Sequence, residues 1–275
     1  MSSIARSVER AGTFLFVPGD RPERFEKAQA ADPGLVVIDL EDAVAPDRKP
    51  AARAAAADWI AAGHPCAVRI NAHGTAWYDD DLEMVRGLDV AVMVPKAEDT
   101  EVLAGVAAGL SAGSAVIALV ETAAGVTNAS RIATAPGVRR LAFGSFDLAA
   151  ELGISPEDTL ALLACRSALV LASAVGQLAA PVDGVTGDIT DPDRLRTDVA
   201  HARRLGFGGK LCIHPRQVAT VAQALRPSDA DIRWARSVVE ASTSGAVVVV
   251  EGRMVDKPVI ERARRILETV EERSE

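Results

Sequence analysis

Two acidic residues stand where a parallel sheet would deliver them to one place. Glu121 follows the apolar run Ala115–Val120, and Asp147 lies just past the run Arg140–Phe143. If the stretch between, Thr122–Thr134, is a crossover helix, the two runs are parallel strands and both exits fall on one edge of a sheet. That edge is where α/β proteins bind ligands and do chemistry. Two carboxylates there, beside the small turn Gly144-Ser145, can offer oxygen ligands to Mg²⁺ and leave positions for water and substrate. The plain alternative is a pair of helix caps that happen to be acidic.

Other exits carry charge as well. They present Asp20 and Arg21, Asp39 with Glu41 and Asp42, Arg69 with Asn71, Pro95-Lys96, Asp183, and His214-Pro215. Apolar strands do not need charge at each end, so this gathering points to an active site ahead of structural ion pairing. Arg69 can grip a carboxylate through two hydrogen bonds, and it can equally be the buried partner of Asp39 or Glu41. Arg21, Arg24 and Lys27 share the first helix, where they could hold phosphates or form a solvated face balanced by Glu23 and Glu26. His214 reads as a packing or supporting residue, not as a ligand.

The elements that must position these residues recur eight times. Apolar runs at Thr13–Val17, Leu35–Leu40, Cys66–Ile70, Val90–Val94, Ala115–Val120, Arg140–Phe143, Pro181–Val185 and Lys210–Ile213 alternate with helical segments. Nearly continuous apolar runs suit strands buried on both faces. The pattern predicts an α/β fold, a (β/α)₈ TIM barrel over residues 1–225. A doubly wound open sheet is the runner-up, but no G-x-G-x-x-G follows the first strand. Asp20 with Glu23 resembles a capping box, with Pro22 in the first turn, and Ser155-Pro156 opens a helix over Glu157–Val175. Beyond the repeats, residues 226–275 form a C-terminal helix-hairpin-helix lid or oligomerisation extension. There Ser228 and Asp231 start a helix to about Ser242, Ala246–Val250 is a strand, Glu251–Lys257 a polar turn, and Pro258 opens the last helix.

Composition bounds the functions. The 275 residues are 49% hydrophobic and 4% aromatic with a net charge of −8, which argues against nonspecific nucleic-acid binding. Three widely spaced cysteines, Cys66, Cys165 and Cys212, indicate neither a disulfide framework nor a C-x-x-C metal site. No apolar run is long enough to span a bilayer, so a soluble, cytoplasmic protein is expected. Several motif matches fail. Gly206 to Lys210 resembles a phosphate loop but continues with Leu211 and leads into a strand, and Phe143-Gly144-Ser145-Phe146 is not a nucleophile elbow.

In its ordered segments the chain resembles the citrate lyase β-subunit and malyl-CoA lyase family of the phosphoenolpyruvate/pyruvate barrel superfamily. The resemblance rests on Leu15 to Pro22 (LFVPGDRP), Val37 to Val44 (VIDLEDAV), Val68 to Asn71 (VRIN), Val94 to Glu98 (VPKAE), Leu119 to Gly125 (LVETAAG), Cys212 to Pro215 (CIHP) and Gly252 to Asp256 (GRMVD). It implies a Mg²⁺-dependent lyase, with Mn²⁺ an alternative cation, that cuts a β-hydroxyacyl-CoA to an acyl-CoA and a 2-oxoacid. Carried over, Glu121 and Asp147 would bind the metal, and Arg69 the oxoacid carboxylate. Asp256 would be the lid acid, supplied by a neighbouring subunit of a trimer or hexamer. Arg21 and Lys27 would face CoA phosphates, Pro95 would join the substrate-binding set, and Asp39, Glu41, Asp42 and His214 would support the site. One departure is Phe146, where the family's Gly-x-Glu-Asp turn has Glu; it bears on the identity of the oxoacid more than on the metal site.

Two competing readings stand beside this one. Lys96 at a strand exit could form a Schiff base, as in class I aldolases. Alternatively, the chain could be a noncatalytic or partner-dependent CoA-thioester-binding subunit that works with an acyl carrier protein.

Overall fold

Eight parallel strands close on themselves in sequence order. They are β1 (Thr13–Pro18), β2 (Leu35–Asp39), β3 (Cys66–Arg69), β4 (Ala91–Val94), β5 (Ala115–Val120), β6 (Val138–Phe143), β7 (Val182–Asp183) and β8 (Gly209–Cys212). Closure comes from β8 pairing with β1 through Thr13 opposite Lys210 and Leu15 opposite Cys212. The computed structural model describes residues 4–242, 248–250 and 253–272. Two compact units make up the chain, Met1–Ala224 and Leu225–Glu275.

In the first unit α1 (Ile4–Arg10) precedes the barrel, and the crossovers carry α2 (Phe25–Gln29), α3 (Lys49–Ala61), α4 (Tyr78–Val85), α5 (Thr100–Gly109), α6 (Ala123–Ala133), α7 (Ser145–Leu152), α8 (Leu163–Val175), α9 (Pro192–Leu205) and α10 (Pro215–Ala224). The strands are buried at nearly every position, Arg139 of β6 being an exposed exception, because helices cover the outside and side chains such as Val37, Met93, Ile117 and Leu119 fill the inside. All eight apolar runs are strands, with ends shifted by a residue or two. The Pro181–Val185 run contracts furthest: Pro181 has no N–H to give the ladder, and its carbonyl accepts from Gly208 N at 3.0 Å.

The structure corrects three local expectations. Asp20 does not cap a helix: the turn at Pro22–Arg24 is 3₁₀, with Arg21 in the capping position, and the Asp20 carboxylate instead faces Arg48 at 3.8 Å. The helix expected from Glu157 begins at Leu163, because Asp158 Oδ1 accepts from the Leu160 and Ala161 amides at 3.0 Å and holds a turn. Third, α1 is an element the sequence reading did not include. It lies against the strand beginnings, where Ile4, Val8 and Ala11 join the core beside Phe14 and Leu35. Arg140 fixes it there, donating from Nη1 to the carbonyls of Val8 at 2.8 Å and Ala11 at 2.6 Å.

The second unit holds α11 (Asp229–Ser242), β9 (Val248–Val250), β10 (Arg253–Val255) and α12 (Lys257–Glu272). Ser228 and Asp231 cap α11 reciprocally: Ser228 N donates to Asp231 Oδ2, and Asp231 N to Ser228 Oγ, each at 3.1 Å. Part of the expected polar turn is strand, since Arg253–Val255 pairs antiparallel with Val248–Val250. Residues 246–247 of the expected strand and 251–252 of the turn lie outside the described residues. A small core of Ala235, Val238, Val255 and Ala263 joins α11 to α12.

Candidate active site

Strand register brings the acidic and basic exits side by side. Asp39 ends β2 directly opposite Arg69 at the end of β3. The guanidinium meets that carboxylate through two bonds, Nε to Oδ1 at 2.8 Å and Nη2 to Oδ2 at 2.6 Å. Its Nη1 lies 3.1 Å from Glu41 Oε2 and 3.5 Å from Asp42 Oδ2, and the Phe16 ring stands 5.0 Å below. Burial would lower the Arg69 pKa, but Asp39, Glu41 and Glu121 raise it further, so the group stays charged. Both readings of Arg69 are compatible with this geometry: it is the buried partner of Asp39, and it also lines the cavity described below.

Glu121 leaves β5 beside Gly144, because Val120 pairs with Phe143 across the β5–β6 ladder. The fit needs a glycine, since a Cβ on Gly144 would stand 2.3 Å from Glu121 Cβ. Burial, then the nearby Glu41 charge, push the Glu121 carboxyl up to about 8, although the Lys96 amide pulls the other way. Asp147 sits in the first turn of α7 with its side chain half exposed. Between Glu121 and Asp147 lies Lys96, whose backbone is left-handed at φ 46°, a conformation that non-glycine residues seldom adopt. Its amide donates to Glu121 Oε1 at 2.9 Å. Its Nζ lies 3.2 Å from Glu41 Oε1, 3.4 Å from Asp147 Oδ2 and 3.8 Å from Glu121 Oε1.

Glu121 and Asp147 therefore converge on a position already occupied by positive charge. Among the described residues no group of three or more His, Cys, Asp or Glu is gathered for a metal ion. A pair of carboxylates nevertheless fits Mg²⁺, which binds one or two carboxylates and keeps its remaining positions for water or substrate oxygens. Glu41, whose Oε2 faces Arg69 Nη1 at 3.1 Å and whose Oε1 faces Lys96 Nζ at 3.2 Å, adds a third carboxylate beside that pair.

A cavity of about 390 Å³ opens at this edge of the barrel, lined by Asp39, Asp42, Arg69, Glu121 and Asp147 together with aromatic and aliphatic side chains. Among the described residues its lining does not include Arg21, Lys27 or Pro95. Arg21 and Lys27 are exposed on the first turn and helix, whereas Pro95 is buried at the exit of β4. His214 serves its own loop: Nδ1 accepts from Arg216 N at 3.1 Å. Asp256, in the second unit, is exposed and caps α12 by accepting from Val259 N at 3.3 Å. Asp183, another charged exit, is buried between Arg166 and Lys210.

Lys49 escaped the sequence reading. This buried lysine donates to the carbonyls of Leu40 at 2.7 Å and Glu41 at 2.9 Å, and to Asn71 Oδ1 at 2.6 Å. It thereby fixes the loop that carries Glu41 and Asp42. Within Asp47-Arg48-Lys49 it looks like one more charge at an exposed helix start, so nothing in the sequence marks it.

Residues 12–215 match the HpcH/HpaI aldolase/citrate lyase family. A citrate lyase subunit beta-like protein of Mycobacterium tuberculosis is 42% identical over 264 residues, which covers 92% of this chain and 93% of the relative. A (3S)-malyl-CoA thioesterase of Cereibacter sphaeroides is 35% identical over 268 residues, 94% of this chain and 93% of the relative. The crystal structure of CitE from M. tuberculosis in complex with magnesium, acetoacetate and coenzyme A matches with a TM-score of 0.82 at 38% identity, covering 94% of this chain and 98% of that one. No helix among the described residues is long and apolar enough to cross a membrane.

Proposed function

The chain belongs to the HpcH/HpaI aldolase/citrate lyase family, and from that premise we propose that it is a Mg²⁺-dependent carbon-carbon lyase cleaving a β-hydroxyacyl-CoA to an acyl-CoA and a 2-oxoacid. The observation that carries this reading is the convergence of Glu121 and Asp147 on Lys96 Nζ, beside Arg69, at the wall of the cavity.

Cleavage of the bond between the thioester α-carbon and the carbinol carbon sends its electron pair onto the thioester as an enolate, while the carbinol gives up its O–H proton to solvent and becomes the oxoacid carbonyl; the enolate carbon takes up one proton in return. Bound by Glu121 and Asp147, Mg²⁺ would supply Lewis acidity toward the oxoacid oxygens. Arg69, held by Asp39 through Nε and Nη2 and permanently charged, is the proposed partner of the oxoacid carboxylate through its remaining N–H groups. Asp256 is the proposed acid that protonates the enolate carbon, and Arg21 and Lys27 are the proposed partners of the CoA phosphates. Lys96 is unsuited to a Schiff base: burial lowers its pKa, but Glu41, Glu121 and Asp147 raise it more, and an ammonium is not a nucleophile.

Incubation with malyl-, citramalyl- and citryl-CoA, with and without Mg²⁺, tests the proposal. Metal-dependent release of a 2-oxoacid from any of them supports it. Release of free CoA with the intact hydroxyacid would make the chain a thioesterase, and no turnover at all would point to a partner-dependent subunit. Asp256→Ala is expected to lower turnover by roughly 10²- to 10⁴-fold with Mg²⁺ binding retained; unchanged turnover removes Asp256 from the mechanism.

A further inference from the structure

The cavity is lined by two unlike sets of side chains. One carries four carboxylates, Asp39, Asp42, Glu121 and Asp147, and among the described lining residues a single cation, Arg69. The other is built from Leu119, Phe143, Phe146, Val185, Leu211 and Ile213. Phe146 is 41% exposed although it is a large aromatic residue directly before Asp147. Its ring leans on Gly187 of the loop after β7, where a Cβ would lie 3.2 Å from Phe146 Cζ. The missing Cβ at Gly187 thus leaves room for the ring.

The capacity for anions among the charged side chains is small. Arg69 already gives Nε and Nη2 to Asp39 and turns Nη1 toward Glu41 and Asp42. Lys96, the next cation, is shared among three carboxylates. One substrate carboxylate can be accommodated at Arg69 and the carboxylate-held cation. Apart from Ser145, a second would face either carboxylates or hydrocarbon, and a carboxylate without a partner is disfavoured in both places.

We propose that Phe146, which packs toward Gly187 and lines the cavity together with Val185 and Ile213, is a specificity-determining residue that selects a 2-oxoacid half bearing an uncharged alkyl group over one bearing a second carboxylate. Pyruvate-type halves, as in citramalyl-CoA, are favoured over oxaloacetate-type halves, as in citryl-CoA. The inference rests on the lyase reading above for its substrates, but its binding test does not need turnover.

Two measurements on the full-length, Mg²⁺-loaded protein decide it. In calorimetric titrations pyruvate should bind at least about tenfold more tightly than freshly prepared oxaloacetate, and kcat/KM should favour citramalyl-CoA over citryl-CoA by roughly ten- to a hundredfold. Phe146→Leu should keep the preference, and Phe146→Arg should shrink or reverse it, in proteins whose unfolding midpoint still rises with Mg²⁺. Equal or tighter oxaloacetate binding by the wild type overturns the role of Phe146 while leaving the lyase reading intact. Preserved pyruvate selectivity without cleavage of any thioester overturns the lyase reading and leaves the role of Phe146. A preference for pyruvate that survives unchanged in Phe146→Arg removes Phe146 as its source.

Discussion

Two charged clusters at strand exits of the same barrel have opposite stoichiometry. At β7 and β8, two cations share one carboxylate: Asp183 receives Arg166 Nε at 2.9 Å and Lys210 Nζ at 3.0 Å, with all three side chains buried. Lys210 also donates to the Gly184 carbonyl. Among the exits of β2, β4, β5 and β6, one ammonium is shared by three carboxylates, Glu41, Glu121 and Asp147. The pKa shifts follow the stoichiometry. Burial alone would raise Asp183, but Lys210 and Arg166 bring it below its ordinary value. For Glu41 and Glu121 burial dominates, and both carboxyls rise. The first cluster is self-sufficient, whereas the second is short of positive charge beside a cavity, the condition a divalent cation would relieve.

Matched amide substitutions give the largest separation between them. Asp183→Asn leaves Arg166 and Lys210 buried without a counter-charge and should cost about 3–5 kcal/mol in denaturant unfolding. Glu121→Gln removes a buried carboxylate from an already acidic cluster, so metal-free stability should hold or increase, while the Mg²⁺-dependent rise in Tm should disappear. Comparable destabilisation by both substitutions would erase the distinction between a structural cluster and a binding cluster.

The distinction was only half legible in the sequence. The eight strands were readable because strands covered on both faces leave contiguous apolar runs, and Glu121 and Asp147 were readable as their exits. Asp183 looked the same as they did. Its neutralising partners lie 17 residues earlier in the first turn of α8 and 27 residues later inside β8, where nothing in the sequence ties them to it. Lys96 was visible as an exit charge, but its left-handed backbone was not, because lysine has no marked preference for that region as glycine does. The helix α1 was missed because seven residues with two buried positions, Ile4 and Val8, show too little periodicity to register.

Acid and base separate the clusters by sign. Raised carboxyls favour the protonated fold, so the contribution of Glu41 and Glu121 is fully present below the ordinary value of 4.5 and is lost as pH rises through their raised values, about 8 for Glu121. Asp183 contributes above its ordinary value of 3.8, and that contribution is lost only as pH falls through its lowered value. Metal-free protein should therefore lose stability between about pH 5 and pH 8, and excess Mg²⁺ should flatten that slope by taking the place of the proton. Denaturant unfolding in chelator and in Mg²⁺ at three pH values would check it; a metal-free slope of opposite sign, or a slope unchanged in Glu121→Gln, would break the assignment.

The smallest expected effect concerns the two lysines. Lys210 has 2% of its side chain exposed and meets one carboxylate, Asp183 at 3.0 Å, whereas Lys96 has 43% exposed and faces three, the nearest Glu41 at 3.2 Å. Water screens the Lys96 ammonium and competes for it, so the pairing is closer to a surface ion pair than to a buried one. Lys96→Met should consequently cost less than about 1 kcal/mol in metal-free protein, and less again with Mg²⁺ present, when the cation takes over the same carboxylates. A loss of several kcal/mol that persists in Mg²⁺ would show Lys96 to be a fixed structural member of the cluster, so that Glu121 and Asp147 could not be released to a metal without unfolding their own loop.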